Sequence, residues 1–150
     1  MRYVVVGGFA VIAHGFHRLT KDLDVCPDPS PENLARLAAM LAELGAQHAG
    51  LGDFAPEEFP FDPTDPRQLA QGGNFRLDTP LGDLDVMQWI PGVPGELAFD
   101  HLARDAITAS VRGVPVAVCS LEDLRAMKRA ADRPQDRIDL EGLVIARNDV

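Results

Sequence analysis

The segment GGFAVIAHGFHRLTKDLDV, residues 7–25, carries the residues best suited to chemistry: Gly7 and Gly8 at its start, Asp22 and Asp24 at its end. In a strand, residues i and i+2 point to one side, so Asp22 and Asp24 share a face, roughly 7 Å apart along the backbone. Two carboxylates side by side repel unless water solvates both or a cation sits between them. A hard divalent ion such as Mg²⁺ takes oxygen ligands and keeps substrate phosphates in its shell. A third carboxylate, Asp85, stands between Leu84 and Val86 in a second apolar run. Asp83 lies on the same face and could replace it, but it abuts the Gly82 turn, so Asp85 is preferred. Three carboxylates from two strands can hold one or two metals about 4 Å apart, the arrangement for in-line phosphoryl or nucleotidyl transfer.

The glycines supply the other half of such a site. Glycine lets backbone N–H groups approach a ligand, and a helix N-terminus attracts phosphate oxygens. Arg18 and Lys21, just ahead of the aspartates, could neutralise phosphate charge. Each feature taken singly also has a plain structural reading: a DxD pair on a solvated face, and a glycine pair in an ordinary turn. His14 could touch phosphate, or cap and pack; His17 is assigned no role. Trp89 and Phe75 could stack on a base, or fill the core.

These residues need elements to hold them. Residues 2–6 read as a short buried strand, and Gly8 to about Gly15 as a short apolar helix. Arg18–Lys21 forms a polar loop, and 22–26 alternates at strand period, with Leu23 and Val25 facing the core. After Pro27 and Pro29, Ser30 caps a helix with Pro31 at its first position. That helix carries Leu34, Leu37, Ala38, Leu41 and Leu44 and stops at Gly45. Residues 50–66, acidic and rich in proline and aromatics, read as an exposed connection, a lid or a docking segment. Runs 74–79 and 82–88 alternate around Pro80-Leu81 as a hairpin, and 106–111 and 114–119 form a second one around Arg112-Gly113. Ser120 with Asp123 opens a helix in a variant capping box, and a last helix follows Pro134, giving a helical pair over 120–146. The expected fold is α/β (α+β): a single domain over 1–150 with a mixed sheet of about five strands and helices packed against it.

The totals narrow the setting. The 150 residues are 46% hydrophobic and 25% charged, an ordinary globular balance with enough chain for one core. No apolar run approaches the roughly 20 residues of a membrane helix, and the start shows no secretory signal. Cys26 and Cys119 lack CxxC spacing and read as buried thiols in a reducing, cytoplasmic setting rather than a disulfide or zinc pair. Net charge is −9, and residues 51–100 hold ten acids against Arg67 and Arg76. A chain this acidic does not bind polyanions over its whole surface; a nucleic acid would have to meet a local basic face, such as one near Arg125, Lys128, Arg129 and Arg133.

Diglycine, a short apolar helix, apolar-flanked DxD and a distant apolar-flanked Asp together resemble the DNA-polymerase-beta-like nucleotidyltransferase superfamily. Gly7, Gly8, Asp22, Asp24 and Asp85 stand in the matching places. His14-Gly15, Arg18-x-Thr20-x-Asp22-x-Asp24, and Lys128 followed by Arg133-Pro134-Gln135-Asp136-Arg137-Ile138-Asp139-Leu140 resemble the small AbiEii-type proteins of bacterial abortive infection and toxin–antitoxin systems. Gln135 stands where that subgroup usually has Lys. The resemblance covers residues 3 to about 143. It implies an enzyme that moves a nucleotide from an NTP to an acceptor hydroxyl with Mg²⁺ or Mn²⁺. Asp22, Asp24 and Asp85 would bind the metal, with Asp85 also helping to deprotonate the acceptor. Lys128 would point at the nucleotide or orient the site. Gly7, Gly8, Arg18, Thr20, Lys21, Asp136 and Asp139 would contact or position the nucleotide. Lys128, Arg133, Asp136 and Asp139 read equally as an ion-pair network between the last two helices.

The implied acceptor is a tRNA, a protein side chain or a small molecule such as an antibiotic. The implied partners are a cognate toxin or antitoxin, or a second copy in a homodimer, with no membrane. Members of the family usually place a helix before the first strand. Here Met1-Arg2-Tyr3 precedes it directly, so the chain is either minimal or begins further upstream, and one side of the sheet is expected to be bare or covered by a partner. The rival reading is a non-catalytic binding protein that keeps the fold. A phosphohydrolase using the same carboxylates is a third.

Overall fold

The computed structural model describes residues 1–49, 55, 57–58 and 60–148. Among these, seven strands form one mixed sheet. In chain order the elements are β1 (Tyr3–Val6), α1 (Gly7–Ala13), β2 (Leu23–Pro27), α2 (Pro31–Glu43), β3 (Gln47–His48), α3 (Pro66–Leu69), β4 (Asn74–Thr79), β5 (Gly82–Met87), α4 (Phe99–Arg104), β6 (Ile107–Val111), β7 (Val114–Val118), α5 (Leu121–Ala131) and α6 (Pro134–Asn148). The strand order across the sheet is β3-β4-β5-β2-β1-β7-β6. About five strands were expected. The surplus arises because β3 is two residues, too short to show a period, and because the β6–β7 hairpin joins the same sheet beside β1.

β1 is a run of β-branched residues because both its faces are covered: Val4, Val5 and Val6 are all buried. α2 packs Leu34, Leu37, Ala38 and Leu41 onto the sheet, and Leu69, Leu77, Val86 and Leu102 extend the same core. An apolar groove of about 330 Å³ lies between α2 and the β4–β5 turn, lined in part by Tyr3, Leu23, Met40 and Leu44. Leu23 therefore departs from its expected core position: its exposure is 37%, whereas Val25 is buried as predicted. β2 begins at Leu23, so Asp22 lies just before the strand rather than in it.

Residues 50–54, 56 and 59 of the expected acidic loop lie outside the described residues. Within its remainder, Phe61 stacks on Phe75 at 4.0 Å with nearly parallel rings, and Pro66 starts α3, capped by Asp65. Phe75 thus fills a packing role. Cys26 and Cys119 are buried free thiols, and burial pushes both up to about 12. Among the described residues no helix is long and apolar enough to cross a membrane.

Candidate active site

Strands β2 and β5 run parallel, and their register sets Asp24 directly across from Asp85. Partners in register point to the same side of a sheet, so residues 61 positions apart in sequence meet on one face. The two carboxyl groups act on one another as neighbours, and the Gly8 main chain favours the charged form of Asp24. Burial is the main cause that raises Asp24 to about 6, followed by the Asp85 charge. Asp85 is raised too, first by burial; its neighbour Asp24 and the Arg76 charge pull it back without cancelling the rise. A carboxyl pair this close holds either a shared proton or a cation between its oxygens.

The donor set fits a hard cation. Asp85 Oδ1 is buried with no hydrogen-bond partner, an orphaned oxygen beside a second carboxylate. Asp22 acts on both members of the pair through its charge. Among the described residues no three His, Cys, Asp or Glu side chains close tightly enough to cage an ion on their own. The fit is therefore to an ion that two carboxylates hold and that completes its shell with water and substrate oxygens, as Mg²⁺ does. Asp83, the weaker candidate, ion-pairs with Arg76 at 3.5 Å and sits two residues nearer the turn.

Both glycines are explained by close approach. Gly7 has φ +64°, and a Cβ there would run into the Asp24 carboxylate. A Cβ on Gly8 would press on Thr20 and stand 3.1 Å from Arg18 Nη2. The diglycine bend thus lets α1 start against the carboxyl pair, with the Gly8 amide aimed at it. Gly7→Ala is expected to cost about 1–3 kcal/mol from the left-handed backbone alone and to push Asp24 off Asp85. Thermal melting measures the first effect. Loss of the depressed acidity of Asp24, followed by NMR titration, measures the second.

A buried ion-pair network braces the far wall. Lys128 Nζ lies 2.8 Å from both Asp136 Oδ1 and Asp139 Oδ2, and all three residues are buried. Arg133 donates to Asp136 from its main chain, Nε and Nη2, and Gln135 donates to Asp139 at 3.0 Å. Arg18 Nη2 donates to Asp139 at 3.0 Å, while its Nε lies 2.6 Å from the other oxygen without aiming an N–H at it. Burial alone would raise Asp136; the bonds from Arg133 and Lys128 outweigh it and hold the group at about 2. Asp139 is lowered in the same way, by Arg18, Lys128 and Gln135 against burial. The network joins the loop after α1 to α5 and α6.

The predicted site residues therefore divide. Asp24, Asp85, Gly7 and Gly8 meet, with Asp22 beside them and Thr20 against Gly8. Arg18, Lys128, Asp136 and Asp139 form the adjoining network. Lys21 is exposed and borders the apolar groove with Leu23 and Leu81. His14 Nε2 lies 2.8 Å from the Cys119 carbonyl oxygen, which can only accept, so His14 packs against the end of β7. Two cations were missed as site residues. Arg76 sits opposite Asp85 in the hairpin and feels its charge, and Arg133 feels that of Asp24. The first was legible, since a two-residue turn at Pro80-Leu81 fixes every cross-strand partner.

The chain superposes on the lincomycin-bound crystal structure of the lincosamide antibiotic adenylyltransferase LnuA with a TM-score of 0.60. The match covers 95% of this chain and 85% of that one, at 14% sequence identity. The chain shares the fold of an adenylyltransferase. No family model and no curated protein sequence matches it.

Proposed function

We propose that this protein is a nucleotidyltransferase that moves a nucleotide from an NTP to an acceptor hydroxyl, with Mg²⁺ or Mn²⁺ as the metal. The observation that carries the reading is the in-register pairing of Asp24 with Asp85 beside the diglycine bend, with one buried carboxylate oxygen left orphaned. Asp24 and Asp85, assisted by Asp22, would hold the ion, which when bound neutralises phosphate charge and orients the phosphates for in-line displacement. Asp85, in its carboxylate form, is placed beside Asp24 to take the proton of the acceptor hydroxyl. The Gly7-Gly8 backbone borders the phosphates, and Arg76 and Arg133 offer charge to them. Lys128, Asp136 and Asp139 position Arg18 and Arg133. The setting implied by the AbiEii-type resemblance is a bacterial defence or toxin–antitoxin element.

The deciding experiment follows melting temperature with ATP, GTP, CTP or UTP, each with Mg²⁺. At least one NTP is expected to raise it, and Asp85→Ala is expected to abolish the rise while leaving a folded protein. Label from the α-phosphate should then be retained on an acceptor. Release of free phosphate without labelling would indicate hydrolysis, and no shift with any NTP would favour a non-catalytic binding protein.

A further inference from the structure

The face that carries the carboxyl pair continues past β5. Burial alternates through its end: Val86, Gln88 and Ile90 are buried, while Asp85, Met87 and Trp89 turn to the open side. Trp89 is 57% exposed, so of its two readings it does not fill the core. It is nevertheless held in place. Asn74 Nδ2 donates to the Trp89 carbonyl at 2.8 Å, and Asn74 Oδ1 accepts from the Gln88 and Trp89 amides at 3.0 and 3.1 Å. Gly72 runs under the indole, where a Cβ would stand 3.5 Å from Cζ2. The loop beyond backs onto α5, where a Cβ on Gly92 would meet the Ala126 carbonyl. The result is an open cleft of about 820 Å³ with Trp89, Gln71, Ile90, Glu96 and Leu97 among its lining.

A fixed, half-bare indole costs a protein solvation, and it is the ordinary platform for a ring or a cation. The charge around it selects between ligands. Glu96 stands at the cleft itself, while Arg76 and Arg133 lie with the aspartates of the carboxyl site. A carboxylate beside the indole favours an ammonium group over an anionic ligand in the cleft. Trp89 lies two residues past the end of β5, four positions along the chain from Asp85, which puts the cleft within reach of a small molecule that also touches the carboxyl pair.

We infer that the Trp89 cleft is the acceptor subsite, and that the acceptor is a small cationic, hydroxylated molecule that stacks on Trp89 and presents a hydroxyl to the carboxyl pair. The inference rests on the nucleotidyltransferase reading for its chemistry, in which the acceptor oxygen attacks the α-phosphate, pyrophosphate leaves, and the hydroxyl proton passes to a carboxylate. Trp89 is the single tryptophan of the chain, so its emission reports on the cleft directly. Lincomycin, kanamycin and bulk tRNA serve as probes. A saturable change in emission is expected with lincomycin or kanamycin and none with tRNA. With a labelled NTP, Trp89→Ala is expected to raise the acceptor KM about tenfold, while kcat and the NTP-induced rise in melting temperature stay unchanged. Trp89→Phe should restore most of the loss. Unchanged emission with both small probes, labelling of tRNA, or an unchanged KM in Trp89→Ala overturns the inference. An emission change in a protein that shows no NTP-induced melting shift sinks the transfer reading alone and keeps the cleft as a small-molecule site.

Discussion

Asp24→Asn is expected to lower nucleotide transfer on the order of 10³- to 10⁴-fold and, at the same time, to raise the melting temperature of the ligand-free protein. The two effects have one cause. Asp24 is held near 6 by burial and by Asp85, above the ordinary 3.8. Between about pH 4 and 6 the unfolded chain gives up this proton while the native protein keeps it. The native state therefore loses stability as pH rises through that window, and above about 6 it carries the full penalty. About two pKa units correspond to about 3 kcal/mol, of which the neutral amide should recover about 1–2 kcal/mol, or about 2–6 °C. Melting followed from pH 4 to 8 should fall for the wild type and run flatter for the variant. Mg²⁺ should raise the wild-type melting temperature and leave the variant where it is. A variant that melts lower at pH 7.5 would show that the carboxyl pair is not under strain.

Lys128→Met should destabilise the protein by about 3 kcal/mol or more. Its ammonium is buried against Asp136 and Asp139, and an apolar side chain of similar length leaves two buried carboxylates one cation short. The pH sign is opposite to that of Asp24. Asp136, held at about 2, contributes stability that is complete above the ordinary 3.8 and is lost as pH falls toward 2. With Lys128 gone, both carboxyls should rise, so acid unfolding should begin at higher pH. Urea unfolding at pH 7 and pH 4 measures both effects. The same substitution should loosen Arg18, because Asp139 anchors that side chain and the polar loop that carries it.

Much of this was legible before any coordinates. Gly7-Gly8 after a β-branched run reads as the close of a strand and the start of a helix, and β1 ends at Val6 with α1 starting at Gly7. The hairpin around Pro80-Leu81 was equally plain, because strict alternation and a turn dipeptide are local properties. Asp85 was preferred because Asp83 abuts the Gly82 turn, and the register sets Asp85 across from Asp24. What misled were residues whose environment comes from distant chain. Trp89 is a core residue by type, yet it is largely exposed. Lys128, Asp136 and Asp139 read as either nucleotide contacts or an ion-pair network, and the paired carboxylates and buried ammonium appear only once α5 and α6 are laid together. Lys21 follows Arg18 in sequence but turns toward the groove.

By itself, the order of residues determined the bend, the alternation that puts carboxylates on one side of each strand, and the apolar surfaces that force a sheet with helices against it. These are short-range consequences of backbone sterics and side-chain period. Only the tertiary structure decided that β2 and β5 would be parallel neighbours in the register Asp24 to Asp85, and that an indole would stand open on the same face. Strand order and register are set by the summed burial of the whole core, a quantity that no single stretch of the chain contains.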